Sequence, residues 1–229
     1  MIQTLWSLGS CANKGSLEYV AIQLMVRECL GEFYNLLPQL GITDLQSQID
    51  LCNGSDGGVL PDCEGCSVGE KQIVWGDHLR AREMLQCAID KLEGYNGETP
   101  LKVKNEMMIN FGGEYSKELA DLLKFILKVI KFRSSLCDYQ ASDDCPSGVL
   151  ARSYRFLQVT KVELCRPNYW NGNDRDRSKT LIHEWMHLYY GADDFAYAWQ
   201  WPKYSQLSAV KQFLNADSFA EFVKWVCNE

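Results

Sequence analysis

"TLIHEWMHLYYGADDFAYAW", Thr180 to Trp199, carries two of the chain's three histidines, four residues apart, with a glutamate directly after the first. A step of four is close to one helical turn, so His183 and His187 come to one face of a helix, one above the other. Two imidazoles so placed can bind one zinc ion at about 2.0–2.1 Å. Asp174 or Ser178 can cap this helix at its start, and Gly191 can end it by taking positive φ. A lone histidine on a helix is more often a core residue than a ligand. Here two of three histidines share one turn, the helix stops just after the second, and carboxylates follow at once.

A catalytic zinc site takes three protein ligands and keeps one position open. No third histidine lies downstream, and His78 is remote and sits at an expected helix start. The nearest hard ligand is Asp193 or Asp194, and the spacing alone leaves both open. Glu184 follows the first ligand as in the His-Glu-x-x-His pattern of metallohydrolases. There it is turned too far around the helix to be a ligand but can take a proton from water activated by the metal.

The stretch resembles the aspzincin family of metalloendopeptidases, the deuterolysin and peptidyl-Lys type. That family follows His-Glu-x-x-His with Gly-Thr-x-Asp-x-x-Tyr-Gly, and the chain has Gly191-Ala192-Asp193-Asp194-Phe195-Ala196-Tyr197-Ala198. Alignment on Gly191 implies that Asp194, not Asp193, is the third zinc ligand and that Tyr197 is the family's tyrosine, suited to donate a hydrogen bond to an oxyanion. Ala192 stands where the family has Thr and Ala198 where it has Gly. Loss of the Thr hydroxyl can remove a bond that orients the site. Two further echoes are Asn215-Ala216-Asp217-Ser218-Phe219, near the family's substrate pocket, and Cys165-Arg166-Pro167-Asn168-Tyr169-Trp170.

The resemblance implies that Asp217 faces the residue just after the cut. In lysine-specific members a second acid three positions later helps to hold the lysine ammonium. That position is Ala220 here, and Glu221, one residue on, is expected about 100° further around the helix. The expectation is therefore broad specificity with at most a mild preference for Lys or Arg. A capping role for Asp217 is the alternative.

Outward from this region, Ser205 to Cys227 reads as helix, with Phe219, Phe222, Val223 and Val226 on one face. Tyr154 to Cys165 alternates with period two, and its apolar parity slips near Thr160. This indicates a strand, a bulge or turn, and a second strand. Tyr154–Val159 is the candidate edge strand for pairing with a substrate backbone. Glu114 to Phe132 is the clearest amphipathic helix, with Leu119, Leu122, Leu123, Ile126 and Ile130 in one stripe. Lys117, Lys124, Lys128 and Lys131 form its solvated fringe. Asp77 can cap a helix that Gly94 and Gly97 end, and Ser16–Leu37 reads as a buried helix capped by Ser16. The expected fold is α+β: a helix-rich, zincin-like metalloprotease domain with a small sheet, stapled by disulfides. One domain is expected to take in all 229 residues, with the zinc motifs in 178–222.

Apolar residues make up 46% of the chain and charged ones 23%, a globular balance. The net charge of -7 disfavours nucleic acid or an anionic membrane as partner, and no apolar run approaches the ~20 residues that span a bilayer. Ten cysteines, dispersed and even in number, suit a secreted protein. With no signal peptide at the start, the chain reads as a mature form, and Asn53-Gly54-Ser55 is a glycosylation sequon consistent with secretion. Cys63 and Cys66 lack the second ligand pair a zinc knuckle needs, so a disulfide is expected there.

These readings converge on a secreted, monomeric zinc endopeptidase acting on proteins or peptides. It would hold one zinc per chain on His183, His187 and Asp194, with Glu184 as general base, Tyr197 assisting catalysis and Asp217 binding substrate. The competing expectation is a secreted aspzincin-like zinc carrier or surface antigen without proteolysis. The intact Glu184 and a C-terminus without added histidines favour the enzyme. A purely structural helical domain would leave the whole constellation as coincidence.

Overall fold

Strand β1 (Cys63–Glu64) and helix α1 (Val68–Glu93) open the part of the chain that a computed structural model describes: residues 62–94, 98–132, 138–156 and 159–227. Ser67 starts α1 through a reciprocal capping box, its hydroxyl accepting from Glu70 N–H while the Glu70 carboxylate accepts from Ser67 N–H. Gly94 ends α1 at φ 69°. Asp77, expected as the cap, instead lies mid-helix and buried, and its carboxylate accepts from Arg177 Nε at 2.7 Å and from the Tyr169 hydroxyl at 3.0 Å. A carboxylate signals a cap only when the polar start lies beside it, and here the Ser-x-x-Glu box that begins ten residues earlier at Ser67 wins. The expected helix Ser16–Leu37, the sequon and the extent of a domain over residues 1–229 fall outside the described residues.

Helix α2 (Leu101–Phe111) follows, then α3 (Ser116–Phe132). The five stripe residues of α3 are at most 2% exposed, as the spacing requires. Strand β2 (Asp138–Ser142) precedes a hairpin of β3 (Ala151–Phe156) and β4 (Val159–Cys165). Phe156 pairs with Val159, so Thr160 already lies in the second strand, opposite Arg155. The parity slip had marked the turn a few residues late. The sheet runs β1-β2-β4-β3, parallel except for the antiparallel β3–β4 pair, which leaves β3 at an edge among the described residues.

After β4 come α4 (Asn168–Asn171) and α5 (Asp174–Trp185), which passes into a π-helical turn at Met186–Tyr190. Short helices α6 (Trp201–Tyr204) and α7 (Ala209–Phe213) lead to α8 (Ala216–Val226). The helical signal over Ser205–Cys227 is thus two helices, broken at Leu214–Asn215. Helix α5 packs against α1 and α8, and α1 against α3. Between them Leu85, Ile89, Leu123, Trp185, Phe219 and Phe222 are fully buried or nearly so. Phe111 adds ring contacts at 5.0 Å to Phe219 and 5.5 Å to Phe222.

Cys63–Cys66, Cys87–Cys227 and Cys145–Cys165 form disulfides, the second tying α1 to the end of α8. The remaining four cysteines lie outside the described residues. No helix among the described residues is long and apolar enough to cross a membrane.

Candidate metal centre

Helix α5 is set in place before it offers any ligand. Asn173 caps it, its side-chain oxygen accepting from Asp176 N–H at 2.9 Å, so the cap lies one residue before the expected Asp174. Asp174 and Asp176 occupy the first turn, where negative charge suits the helix dipole. Asp174 pairs with Arg80 of α1. Arg177 reaches Asp77 of α1, and Arg175 donates to the Lys224 carbonyl at 2.6 Å on α8. The helix is thereby fixed on both sides by charged contacts that do not involve histidine.

One turn of α5 and the π-helical turn then present His183 and His187, ring centroids 4.7 Å apart. The turn closes at Gly191, with φ 92° and its N–H donating to Met186 O at 2.9 Å. Positive φ sends the chain back across the helix end, as expected of this glycine. The return loop is pinned to the start of α8. Asp193 N–H donates to Leu214 O at 2.7 Å, and Ala216 N–H to Asp193 O at 3.0 Å. Asn215 accepts from the N–H groups of Phe195 and Ala196 at 2.9 and 3.2 Å, and its amide donates back to Ala196 O at 2.9 Å. Asp193 is thus held by backbone pairing, and the next side chain turns inward.

That side chain is Asp194. Its Oδ1 lies 3.1 Å from His183 Nε2 and 3.3 Å from His187 Nε2, and the two Nε2 atoms are 3.0 Å apart. Donor atoms around a tetrahedral zinc at about 2.0–2.1 Å are separated by about 3.3 Å, so this triangle fits the ion. His183, His187 and Asp194 can hold a metal. Exposure rises from His183 to Asp194, so the donor set opens toward solvent on one side. His187 Nδ1 lies 2.8 Å from the Ala192 carbonyl, a contact that fixes Nδ1 as the donor and leaves Nε2 its lone pair. The orienting group is a backbone carbonyl, so Ala in place of Thr at this position costs the contact nothing.

Electrostatics follow the same grouping. Burial pushes the His183 pKa down, but hydrogen bonds to Asp194 and Asp217 and the charge of Glu184 outweigh it and raise it to about 9. Burial likewise opposes ionisation of Asp194, yet the two imidazoles hold its carboxyl well below the usual range. A carboxylate and imidazoles perturbed together by burial and by one another mark a candidate functional site. Tyr197 stacks on His183 with centroids 5.7 Å apart, and burial first, then Asp194, pushes its phenol up, so it remains a donor. Glu184 is buried in the wall of the adjoining cleft.

That cleft has a volume of about 470 Å³ and runs between residues 147–151, which lead into β3, and the wall formed by Thr180, His183, Glu184, Tyr197 and Trp199. Asp217 also lines it but is 2% exposed, and both its oxygens are engaged. Oδ1 lies 2.8 Å from Lys179 Nζ and 3.5 Å from His183 Nδ1, and Oδ2 accepts from Ala198 N–H at 2.7 Å. The N-cap of α8 is Asn215, so Asp217 does not serve as the cap. Glu221 also reaches Lys179, at 2.5 Å. The expectation that Glu221 turns away is corrected by helix geometry. Four residues advance about 400°, only about 40° from Asp217. His78 is wholly buried on α1 with Nδ1 2.9 Å from the Tyr139 hydroxyl, apart from the metal set. Lys179 carries no signal in sequence, and Asn215 stands there only as the first residue of the "NADSF" echo, without its loop-pinning role.

A family model described as "Lysine-specific metallo-endopeptidase", the aspzincin model, matches residues 110–224, half of the chain and all of this site. The chain belongs to the aspzincin family. It therefore stands among zinc metallopeptidases. Among solved structures, a zinc peptidase from Grifola frondosa is similar, with 22% identity, a TM-score of 0.54, and coverage of 69% of this chain and 96% of that one. At this identity the likeness establishes a shared fold, and the helix-rich aspzincin architecture with its small sheet is as expected. No curated protein sequence matches the chain.

Proposed function

We propose that this aspzincin is a secreted zinc-dependent endopeptidase. His183, His187 and Asp194 would hold one zinc per chain. When bound there, zinc supplies a Lewis acid that makes water a nucleophile near neutral pH and polarises a carbonyl. Glu184, in the wall beside His183, takes the proton of the attacking water on its carboxylate and delivers it to the departing amine. Tyr197, kept protonated by burial and by Asp194, donates its hydroxyl hydrogen to the oxyanion that develops. Asp194 and His187 keep their orientation through the pinned loop and the Ala192 carbonyl. The substrate backbone adds to β3, an edge strand among the described residues whose first residue, Ala151, lines the cleft, and so extends the sheet by one strand. Three disulfides among the described residues support an oxidising, extracellular setting.

The observation that carries this reading is the convergence of three donor atoms, one of them on His183 in the wall of a cleft that Glu184 and Tyr197 also line. A carrier has no use for a buried carboxylate and a phenol in the wall of a cleft beside the donor set. The test is to incubate zinc-loaded and chelator-treated protein with an unfolded protein and map the products by mass. Internal cuts from the loaded form alone are expected, and their absence over any unfolded substrate would favour the carrier.

A further inference from the structure

Lys179 stands one turn before His183 on α5 and lines the cleft, yet the peptidase chemistry above does not use it. Its ammonium lies 2.8 Å from Asp217 Oδ1 and 2.5 Å from Glu221 Oε1. The three side chains are 18%, 3% and 11% exposed, so the cluster is largely shut off from water. Asp217 and Glu221, a turn apart on α8, make a pocket for one cation. The surplus negative charge is met by the Ala198 N–H on Asp217 Oδ2 at 2.7 Å and by the N-terminal end of α8. A lysine or arginine brought by a substrate would need the same oxygens. It would have to displace an ammonium tethered to the wall, whose local concentration no free peptide matches.

We propose that Lys179 is a specificity-determining residue that fills the acidic pocket from within and closes the cleft to basic side chains after the cut. Beside the polar Thr180 and Glu184, the cleft then offers that side chain Val149, Leu150, Ala151, Tyr197 and Trp199, a stretch that suits an apolar residue. The consequence for cleavage rests on the endopeptidase reading, whereas the filling of the pocket stands on geometry alone. It sets this chain apart from the lysine specificity in the description of its family model.

Two measurements test this. In the first, zinc-loaded wild type and Lys179→Ala digest a peptide library. Wild type is expected to favour apolar residues after the cut, and Lys179→Ala to gain cleavage before Lys relative to Leu by about tenfold or more, the worth of one charged hydrogen bond. In the second, n-propylamine, which supplies the three carbons and the nitrogen that the substitution removes, is added during thermal unfolding. It should stabilise Lys179→Ala and not wild type, and n-propanol should stabilise neither. Wild type cutting strictly before lysine would overturn the proposal whether or not the variant folds. So would a folded Lys179→Ala with an unchanged profile and no response to the amine. A wild type that cuts nothing, beside a variant rescued by propylamine, would sink the peptidase reading and leave the filled pocket standing.

Discussion

Replacing Asp217 by Asn preserves shape and removes one acceptor from the floor of the site. In the folded protein Asp217 faces three donors: Lys179 Nζ at 2.8 Å, His183 Nδ1 at 3.5 Å and Ala198 N–H at 2.7 Å. An amide has one oxygen for them, and its nitrogen meets a donor in either orientation. Breaking a buried ion pair outright costs about 3–5 kcal/mol. Here Glu221 still holds the Lys179 ammonium at 2.5 Å, so the loss is nearer that of one charged hydrogen bond, about 1.5–3 kcal/mol. The expected result in urea unfolding of zinc-free protein is a destabilisation of about 2 kcal/mol with unchanged m. The His183 ring also loses its partner behind the metal face, and affinity for zinc should fall about 10–100-fold in competition with a chelator. If Asp217→Asn kept wild-type stability and zinc affinity while only the cleavage profile changed, Asp217 would be a substrate contact and the positioning argument would be wrong.

Asp194→Ala should lose zinc as His187→Ala does, whereas Asp193→Ala should retain it. Calorimetric titration would decide, and the reverse pattern would put the ligand one residue earlier. Tyr197→Phe should bind zinc normally and lower kcat far more than it raises KM, because its hydrogen bond strengthens only as the oxyanion forms. Burial lowers the His78 pKa from its ordinary 6.5 to about 3. A depressed folded pKa leaves stability intact above about pH 6.5 and removes it as pH falls toward 3. Wild type should therefore lose on the order of 5 kcal/mol relative to His78→Gln over that range, and parallel pH–stability curves would contradict the buried neutral imidazole.

The clustering of His183, His187 and Asp194 was legible from one short stretch. Four-residue spacing and a terminating glycine grouped the histidines, and the resemblance to the family motif, aligned on Gly191, picked Asp194 over Asp193. The amphipathic helix Ser116–Phe132 was legible for the same reason, through its period. What escaped depends on pairing across the chain. Lys179 lies in a run of charges, "DRDRSK", that reads as solvated surface, and only the docking of α8 against α5 buries it between Asp217 and Glu221. Asp77 looks like a cap until Arg177, 100 residues later, meets it. Strands β1 and β2 are short and join the sheet by parallel pairing, β1 to β2 and β2 to β4, which leaves no alternation long enough to see. The likeness of Ala192 to a lost Thr contact misled in the other direction, because a backbone carbonyl does that work and has no sequence signature.

The most direct test of the central claim compares wild type with Glu184→Gln, both loaded with zinc, on one unfolded protein. The amide fills the same place but cannot accept the proton of the attacking water. Equal zinc content by metal analysis is expected, with internal cleavage by wild type and a rate for Glu184→Gln lower by about 10²-fold or more. Equal cleavage by the two proteins would contradict the claim.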